Sequence, residues 1–370
     1  MLVLVANLGS TSFKFKLLDM GAGGKEVARG GYERIGQAGS QYANHGDVID
    51  VILKQLQHKP DAIGFKAVHG GPISGAVRVN DQVLATMEQF ADVAPAHNPA
   101  YIAAMKAFAK KLPDVPQVAA FETAFHQTIP LSRQVYAIPN EWTTNLGIRR
   151  YGFHGASHRY IATRTAELLG KEKSRRLISC HLGGSSSITA ILDGRSVAHS
   201  LGMTPQSGLP QNNRVGDFDT FALLRLMKHS LTLPEILQKL GKEGGLLGIS
   251  GVSNDMRDIE KAAAEGNQQA QLAIDALVQS IRHYLGAGLV ALGGIDVLVF
   301  TGGIGENSRI VRKGVCEGLA WAGIELDEKK NNVRCTESCI STDQSKAQIW
   351  VMPTNEELIV ARQTMEALKN

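Results

Sequence analysis

Long apolar runs, charge of one sign and closely paired cysteines are all missing from this chain of 370 residues. No apolar stretch approaches the roughly 20 residues that span a bilayer. The start has no charged segment with a cleavage site, because Met1 leads directly into a strand-like run. A cytoplasmic protein without a membrane partner is the expectation. Lys and Arg number 39 against 35 Asp and Glu, a net charge of +4, which is too little for nucleic-acid binding without local clustering. The basic pairs Lys110–Lys111, Arg149–Arg150 and Arg175–Arg176 read as solvated faces. Of the cysteines Cys180, Cys316, Cys335 and Cys339, only the last two are close, and they lack the second pair that zinc requires. Reduced structural thiols are expected. No Pro- or Ser-rich linker divides the chain, although its length is too great for one ordinary core.

What is present is a duplication. NLGSTSFKFKLLD, from Asn7 to Asp19, returns as HLGGSSSITAILD, from His181 to Asp193. Aligned without a gap, the two share Leu8/Leu182, Gly9/Gly183, Ser12/Ser186, Leu18/Leu192 and Asp19/Asp193. Each copy follows an apolar run, turns on Gly and small hydroxyl residues, and resumes as an alternating strand, which predicts a β-hairpin. Successive N–H groups without bulky neighbours converge well on phosphate oxygens. Two such turns predict one phosphate chain gripped from both sides. The competing reading is two tight hairpins whose glycines serve only positive φ; the repeated hydroxyls and Lys14 beside the first turn favour the anion.

Strand-like segments at 63–68, 117–121, 177–182, 297–301 and 349–352 alternate with helical ones, predicting an α/β protein. Asn98-Pro99 predicts a helix start with Asn98 as the N-cap. Further helices are expected after Ser157, from Gln268 to Leu292 with Gly293-Gly294 closing it, and from Asn355 to Leu368. The repeat places the boundary between halves near residue 150, with a ligand cleft between them. A third glycine turn, VFTGGIGENS from Val299 to Ser308, follows a strand and precedes a helical segment, an arrangement that favours anions. By spacing it is neither GxGxxG nor a P-loop, and a plain two-glycine turn is the alternative.

The motifs VANLGSTSFKF, AVHGG, APAHNPA, FETAFHQTIP, RRYGFHGASHRYIA, CHLGGSSS, GMTPQSGL, NRVGDFD, GLLGISGVSNDMRDI, FTGGIGENS and MPTNEELIVAR together resemble the acetate and propionate kinase family. That family lies within the duplicated actin, Hsp70 and sugar-kinase superfamily. The resemblance implies an α/β, ribonuclease H-like two-domain fold with a central cleft. It implies residues 1–150, joined by the helix at 355–370, as one domain, and 151–354 as a nucleotide-binding and dimerisation domain. It also implies transfer of a phosphoryl group from ATP, with magnesium, to a short carboxylate, giving an acyl phosphate, and a homodimer built through the second half.

Position by position, Asn7, Ser10, Ser12 and Lys14 match the family's phosphate and magnesium segment, and Glu356 a magnesium-associated carboxylate. His154 matches a histidine that contacts the transferring phosphoryl group, and Arg214 an arginine that stabilises it. His181, Gly183, Gly184 and Ser185 fall in the second phosphate turn, while Asp255, Met256, Arg257 and the run Gly303, Ile304, Gly305, Glu306, Asn307 match nucleotide contacts. Val68, Ala96, Phe153 and Pro205 match the acyl pocket. These residue types suit a metaphosphate-like transition state, which needs fixed positive charge around its equatorial oxygens. His69, His97, His126 and His181 read mainly as packing or hydrogen-bonding residues. The spacing of His154 and His158 lacks the Glu of a zinc-protease helix.

The departures are specific. Lys66 stands where the family has arginine, Glu122 where it has a catalytic aspartate, Gly184 where it has asparagine, and Ala96 where leucine is common. Lysine keeps the charge but loses the bidentate fork, and Glu122 has a longer stem, so Lys66 and Glu122 read as a pair refitted together. Loss of bulk at residue 96 predicts room for a few carbons more than acetate has, or for a polar substituent. Asn212-Asn213 replace the usual small residues before Arg214, either to bond a more polar acid or to support the loop. Two alternatives remain open at this level: pyrophosphate as donor, and a non-catalytic nucleotide-binding regulator.

Overall fold

The computed structural model describes residues 1–95 and 97–369, so Ala96, expected in the acyl pocket, lies outside the described residues. The first half supplies β1 (Leu2–Leu8), β2 (Ser12–Asp19), β3 (Lys25–Glu33), β4 (Ala62–Ala67), β5 (Ala76–Arg78) and β6 (Gln117–Phe121). The second supplies β7 (Arg176–Leu182), β8 (Ser186–Leu192), β9 (Arg195–His199), β10 (Val297–Thr301), β11 (Ser338–Cys339) and β12 (Gln348–Val351). They form two six-stranded sheets, in the orders β3-β2-β1-β4-β6-β5 and β11-β12-β10-β7-β8-β9.

Read from β9 inward, the second order repeats the first strand for strand. In each sheet an antiparallel three-strand meander is continued by two parallel strands, β4 and β6 in one and β10 and β12 in the other. A short antiparallel strand closes each outer edge. This is the duplicated ribonuclease H-like α/β architecture. The sequence repeat covers only the hairpins β1–β2 and β7–β8; the topology extends it to every strand.

Composition explains the layers. β1 reads LVLVANL because it is central and covered on both faces, with Val3, Leu4, Val5 and Ala6 fully buried. On β2 the Phe13, Phe15 and Leu17 side chains enter the core while Lys14 and Lys16 take the other face. One face of the first sheet packs under the helices His45–Gln55 and Asn98–Lys111 through Phe65, Tyr101, Met105 and Phe108. Its other face packs on the last helix, Glu356–Lys369, through Val3, Val5, Ile359 and Val360. The second sheet is covered by the helix Gln268–Leu292 on one face and by Gly155–Leu169 on the other.

The long helix has the expected bounds. Asn267 caps its start through the N–H groups of Gln269 and Ala270, and Gly293 ends it in the left-handed conformation at φ 66°. Three local expectations are corrected. Asn98 is not an N-cap: it is the first helical residue, and its buried amide donates to the carbonyls of His69 and Met87. That ties the helix to the ends of two other segments, a demand that outranks capping. The helix expected after Ser157 begins at Gly155, whose N–H donates to the Glu122 carbonyl at 3.0 Å and whose missing Cβ allows that approach. Finally, GGIGEN is itself one short helix, Gly302–Asn307, followed by Arg309–Cys316, which Ser308 caps.

Candidate active site

The two hairpin turns end at a common cavity of about 290 Å³. Asn7, Gly9, Ser12 and Lys14 come from the first turn and its strands, and Ser185 from the second. The remaining wall brings together Lys66 near the end of β4 and Val68 just after it, Glu122 after β6, Phe153 and His154 before the Gly155–Leu169 helix, and Pro205 and Arg214. Strand ends thus deliver residues far apart in sequence to one point, as open α/β sheets do. None of Gly9, Gly183 and Gly184 adopts a positive φ, so φ alone does not explain the glycines in these turns.

A second cavity, of about 430 Å³, collects Gly183, Gly184, Asp255, Met256, Arg257, Gly303, Ile304 and Asn307. The second turn therefore separates two compartments, with Ser185 on one side and Gly183-Gly184 on the other. Asn212 lines the second compartment and not the first, and its backbone bonds Gly184 and Leu247. Ser10, His181, Gly305, Glu306 and Glu356 line neither cavity. The Glu306 carboxylate accepts the Gly302 N–H at 2.9 Å, and the Gly305 carbonyl accepts from the fully buried Arg312. Gly302 has φ 79°, and a Cβ there would sit 2.8 Å from the Leu182 carbonyl oxygen.

Charge at the base of the first cavity is concentrated on three side chains. Lys66 forms an ion pair with Glu356, and both are largely buried. Burial pushes the Lys66 ammonium down, but Glu122 and then Glu356 outweigh it and its pKa is raised. Burial raises the Glu122 carboxyl to about 7; Lys66 opposes this and Glu356 adds to it. Burial also acts to raise Glu356, yet Lys66 and His181 hold it below the ordinary carboxylate range. The ammonium contacts Glu356, while Glu122 reaches it through space, so the pair expected as Lys66 with Glu122 is a triad with Glu356 as the contact partner. Arg214 donates to Ser185 Oγ and Gln211 Oε1, each at 3.2 Å.

For magnesium the donors suit a hydrated, phosphate-borne cation better than an all-protein cage. Among the described residues Glu122 Oε2 is buried with no hydrogen-bond partner. Asn7 Oδ1 accepts from the Tyr101 hydroxyl at the long distance of 3.5 Å. Among the described residues no group of three or more His, Cys, Asp or Glu is arranged for a metal.

His154 is held at φ 55°, a left-handed conformation that a non-glycine residue adopts only when its surroundings demand it. Its Nδ1 meets Ser187 Oγ at 2.9 Å, and its ring stacks on His181 with centroids 4.3 Å apart. Ser187 Oγ also meets His158 Nε2 at 2.8 Å, and His158 Nδ1 meets Ser179 Oγ at 2.9 Å. His199 accepts the Phe153 N–H, and His126 donates to the Phe153 carbonyl. Burial, reinforced by neighbouring histidines, pushes His154, His158 and His199 well below their ordinary range.

Several of these residues escaped the sequence reading. Tyr101, fully buried in the cavity wall, accepts the Leu8 N–H at 2.9 Å and so fixes the first turn. Its signal was its position one helical turn after His97. Ser179 with His181, and Ser187 with Thr189, are polar residues at alternate positions of otherwise apolar strands, a period-two signal for a shared polar face.

Comparison with known proteins gives a consistent result. The model of the family described as Acetokinase family matches residues 2–362. The acetate kinase of Carboxydothermus hydrogenoformans is 42% identical over 401 residues, covering 100% of both chains, and that of Heliobacterium modesticaldum is 43% identical over 400 residues with the same coverage. Among solved structures, the acetate kinase of Porphyromonas gingivalis aligns with a TM-score of 0.92 at 40% identity, covering 99% of each chain. A propionate kinase from Francisella tularensis aligns with a TM-score of 0.91 at 36% identity, again over 99% of each chain.

Proposed function

The chain belongs to the acetokinase family and is an ATP-dependent carboxylate kinase; from that premise we propose that its acceptor is a short acid larger than acetate and that magnesium accompanies the nucleotide. The observation carrying the reading is the pair of hairpin turns meeting at one cavity, whose lining joins apolar Val68, Phe153 and Pro205 to Lys66, His154 and Arg214. A carboxylate oxygen attacks the terminal phosphorus of ATP; the new O–P bond forms as the bond to the bridging oxygen breaks, leaving acyl phosphate and ADP. No proton need move.

The chain's contribution is position and charge. Lys14, Ser10, Ser12 and the Gly183–Ser185 turn hold phosphate oxygens, and Asp255 to Arg257 with Gly303, Ile304 and Asn307 hold the nucleoside. Arg214 and His154 face the transferring group. Lys66 offsets the incoming carboxylate's charge, and Glu122, whose carboxyl burial pushes above its ordinary range, sets how much of that charge is felt. Magnesium, when bound, would neutralise negative charge on the phosphates; Asn7 and Glu356 would hold it, with Glu122 Oε2 as a further acceptor.

The same reading divides the chain into 1–150 with the helix at 355–370, and 151–354, supported by the two separate sheets and cores. A homodimer through the second half is supported by exposed apolar side chains at Phe221, Leu224, Met227 and Leu237. They lie on the helices Ala222–Met227, which Phe221 immediately precedes, and Leu233–Lys242, whereas the Gln268–Leu292 helix buries most of its apolar face. A cytoplasmic setting fits the use of ATP and the free cysteines.

Hydroxylamine trapping of acyl phosphate tests the reading across short acids of increasing length, with ATP or pyrophosphate as donor and with or without magnesium. Highest kcat/KM on a three- or four-carbon acid with ATP is the expected outcome. A preference for acetate would remove the size argument, and product with pyrophosphate alone would overturn the donor.

A further inference from the structure

The hydrogen bonds behind His154 form an unbroken line: Ser179 Oγ to His158 Nδ1 at 2.9 Å, His158 Nε2 to Ser187 Oγ at 2.8 Å, and Ser187 Oγ to His154 Nδ1 at 2.9 Å. Ser179 and Ser187 lie on the paired strands β7 and β8, and both are fully buried. Each hydroxyl has one proton to give, and each neutral imidazole has one N–H and one bare nitrogen. The protons in such a line must therefore all point the same way.

Only two arrangements exist. Running toward the cavity, Ser179 donates to His158, His158 donates to Ser187, and Ser187 donates to His154 Nδ1, which leaves the His154 proton on Nε2. Running away, His154 donates to Ser187, Ser187 to His158, and His158 to Ser179. The second arrangement strands the Ser179 proton, because His158 is the hydrogen-bond partner of that hydroxyl among the described residues. A buried donor without an acceptor is costly. It also turns a bare Nε2 lone pair toward the cavity that His154 lines, where phosphate oxygens are to be held. The first arrangement satisfies every donor within the line and presents an N–H there instead.

Building on the phosphoryl-transfer reading above, we infer that Ser179, His158 and Ser187 are positioning residues that lock His154 as its Nε2–H tautomer, ready to donate to the transferring phosphoryl group. The left-handed backbone at His154 serves the same end, since it keeps Nδ1 within reach of Ser187. The burial that keeps both rings neutral is a precondition, because a doubly protonated imidazole would donate at both nitrogens and break the line.

Nitrogen-15 NMR of the histidine side chains in the full-length protein reads the tautomer directly, with His154→Gln identifying the resonances. The expected wild-type result is a protonated Nε2 and a bare Nδ1 at His154. Ser187→Ala and Ser179→Ala should each convert this to a mixture and lower kcat by roughly tenfold or more, the scale of a weakened transition-state donor, while KM for acid and nucleotide stays unchanged. Ser179→Thr, which keeps the hydroxyl, should restore both readouts. A proton on Nδ1 in the wild type overturns the inference, whether or not the variants fold. So does an unchanged tautomer with unchanged kcat in both alanine variants. A wild-type protein with the Nε2–H tautomer but no kinase activity on any acid would refute the proposed reaction and not the tautomer lock.

Discussion

Lys66, at the penultimate position of β4, is ion-paired with Glu356, the first residue of the last helix. The contact joins the centre of the first sheet to a segment almost three hundred positions away in sequence. With Glu122 nearby, one ammonium serves two buried carboxyls.

Removing that ammonium should therefore be severe. Lys66→Met leaves Glu356 charged and buried without its partner, and should cost about 3–5 kcal/mol in urea unfolding. Adding Glu356→Gln should recover much of the loss. A single variant as stable as wild type would mean that water, not Lys66, satisfies Glu356.

The departures from the family pattern predict a non-additive cycle. Lys66→Arg and Glu122→Asp should each lower activity on the preferred acid, because each changes reach on one side of a shared site. Together they should regain part of the loss or shift preference toward acetate. Additive effects on every acid tested would show that the two positions were not refitted together.

Arg214→Ala should reduce kcat by about 10²–10³-fold, the usual loss for one transition-state donor, with a much smaller change in nucleotide affinity. Arg214 reaches Ser185 and lines the first cavity, apart from the Asp255–Arg257 compartment. Weakened ADP binding with kcat intact at saturation would place its role on the nucleotide.

Stability should fall on mild acidification. Burial lowers His69, His97 and His126 to about 4, and His154, His158 and His199 are lower than ordinary as well. Below the ordinary histidine value of 6.5 the unfolded chain takes up protons that the folded chain refuses. These groups' contribution is thus intact above that value and lost as pH falls toward 4, each adding about 1.4 kcal/mol per pH unit. Glu122 has the opposite sign: its carboxyl is raised to about 7, so its contribution is intact below the ordinary carboxylate range and fades as pH rises through 7. The histidines outnumber it. Urea titrations at pH 7.5 and 5.5 should show a steep loss at the lower pH, less steep in His199→Asn. Equal stability at both would mean that these rings are solvated.

Much of this was readable because the physics was local. β6, β10 and the long helix have the bounds that apolar runs, Asn267 and Gly293 imply. The hairpin repeat located both hairpins whose turns reach the first cavity. What stayed hidden depends on pairing between distant segments. The line from Ser179 to His154 exists only because His181 pairs with Ser187 and Ser179 with Thr189 across β7 and β8. Asn98 was misread because a cap and a buried cross-link use the same amide. Glu356 was found by resemblance, yet its partner Lys66 was assigned to Glu122, since no sequence distance reveals which of two carboxyls an ammonium touches. The repetition of β4 and β6 as β10 and β12 left no residue pattern in the chain.

The helix Glu356–Lys369 covers one face of the sheet that begins at Leu2. On a ribosome the first sheet emerges ahead of the second, but its cover is made after both. Until those residues clear the exit tunnel, Val3, Val5 and Ala120 have an open apolar face and Lys66 has no Glu356. The strands and long helix of the second sheet all precede Glu356. The half that is translated first therefore depends on a segment translated after the other half, and a chain cut before residue 356 lacks both the cover and the carboxylate that pairs with Lys66.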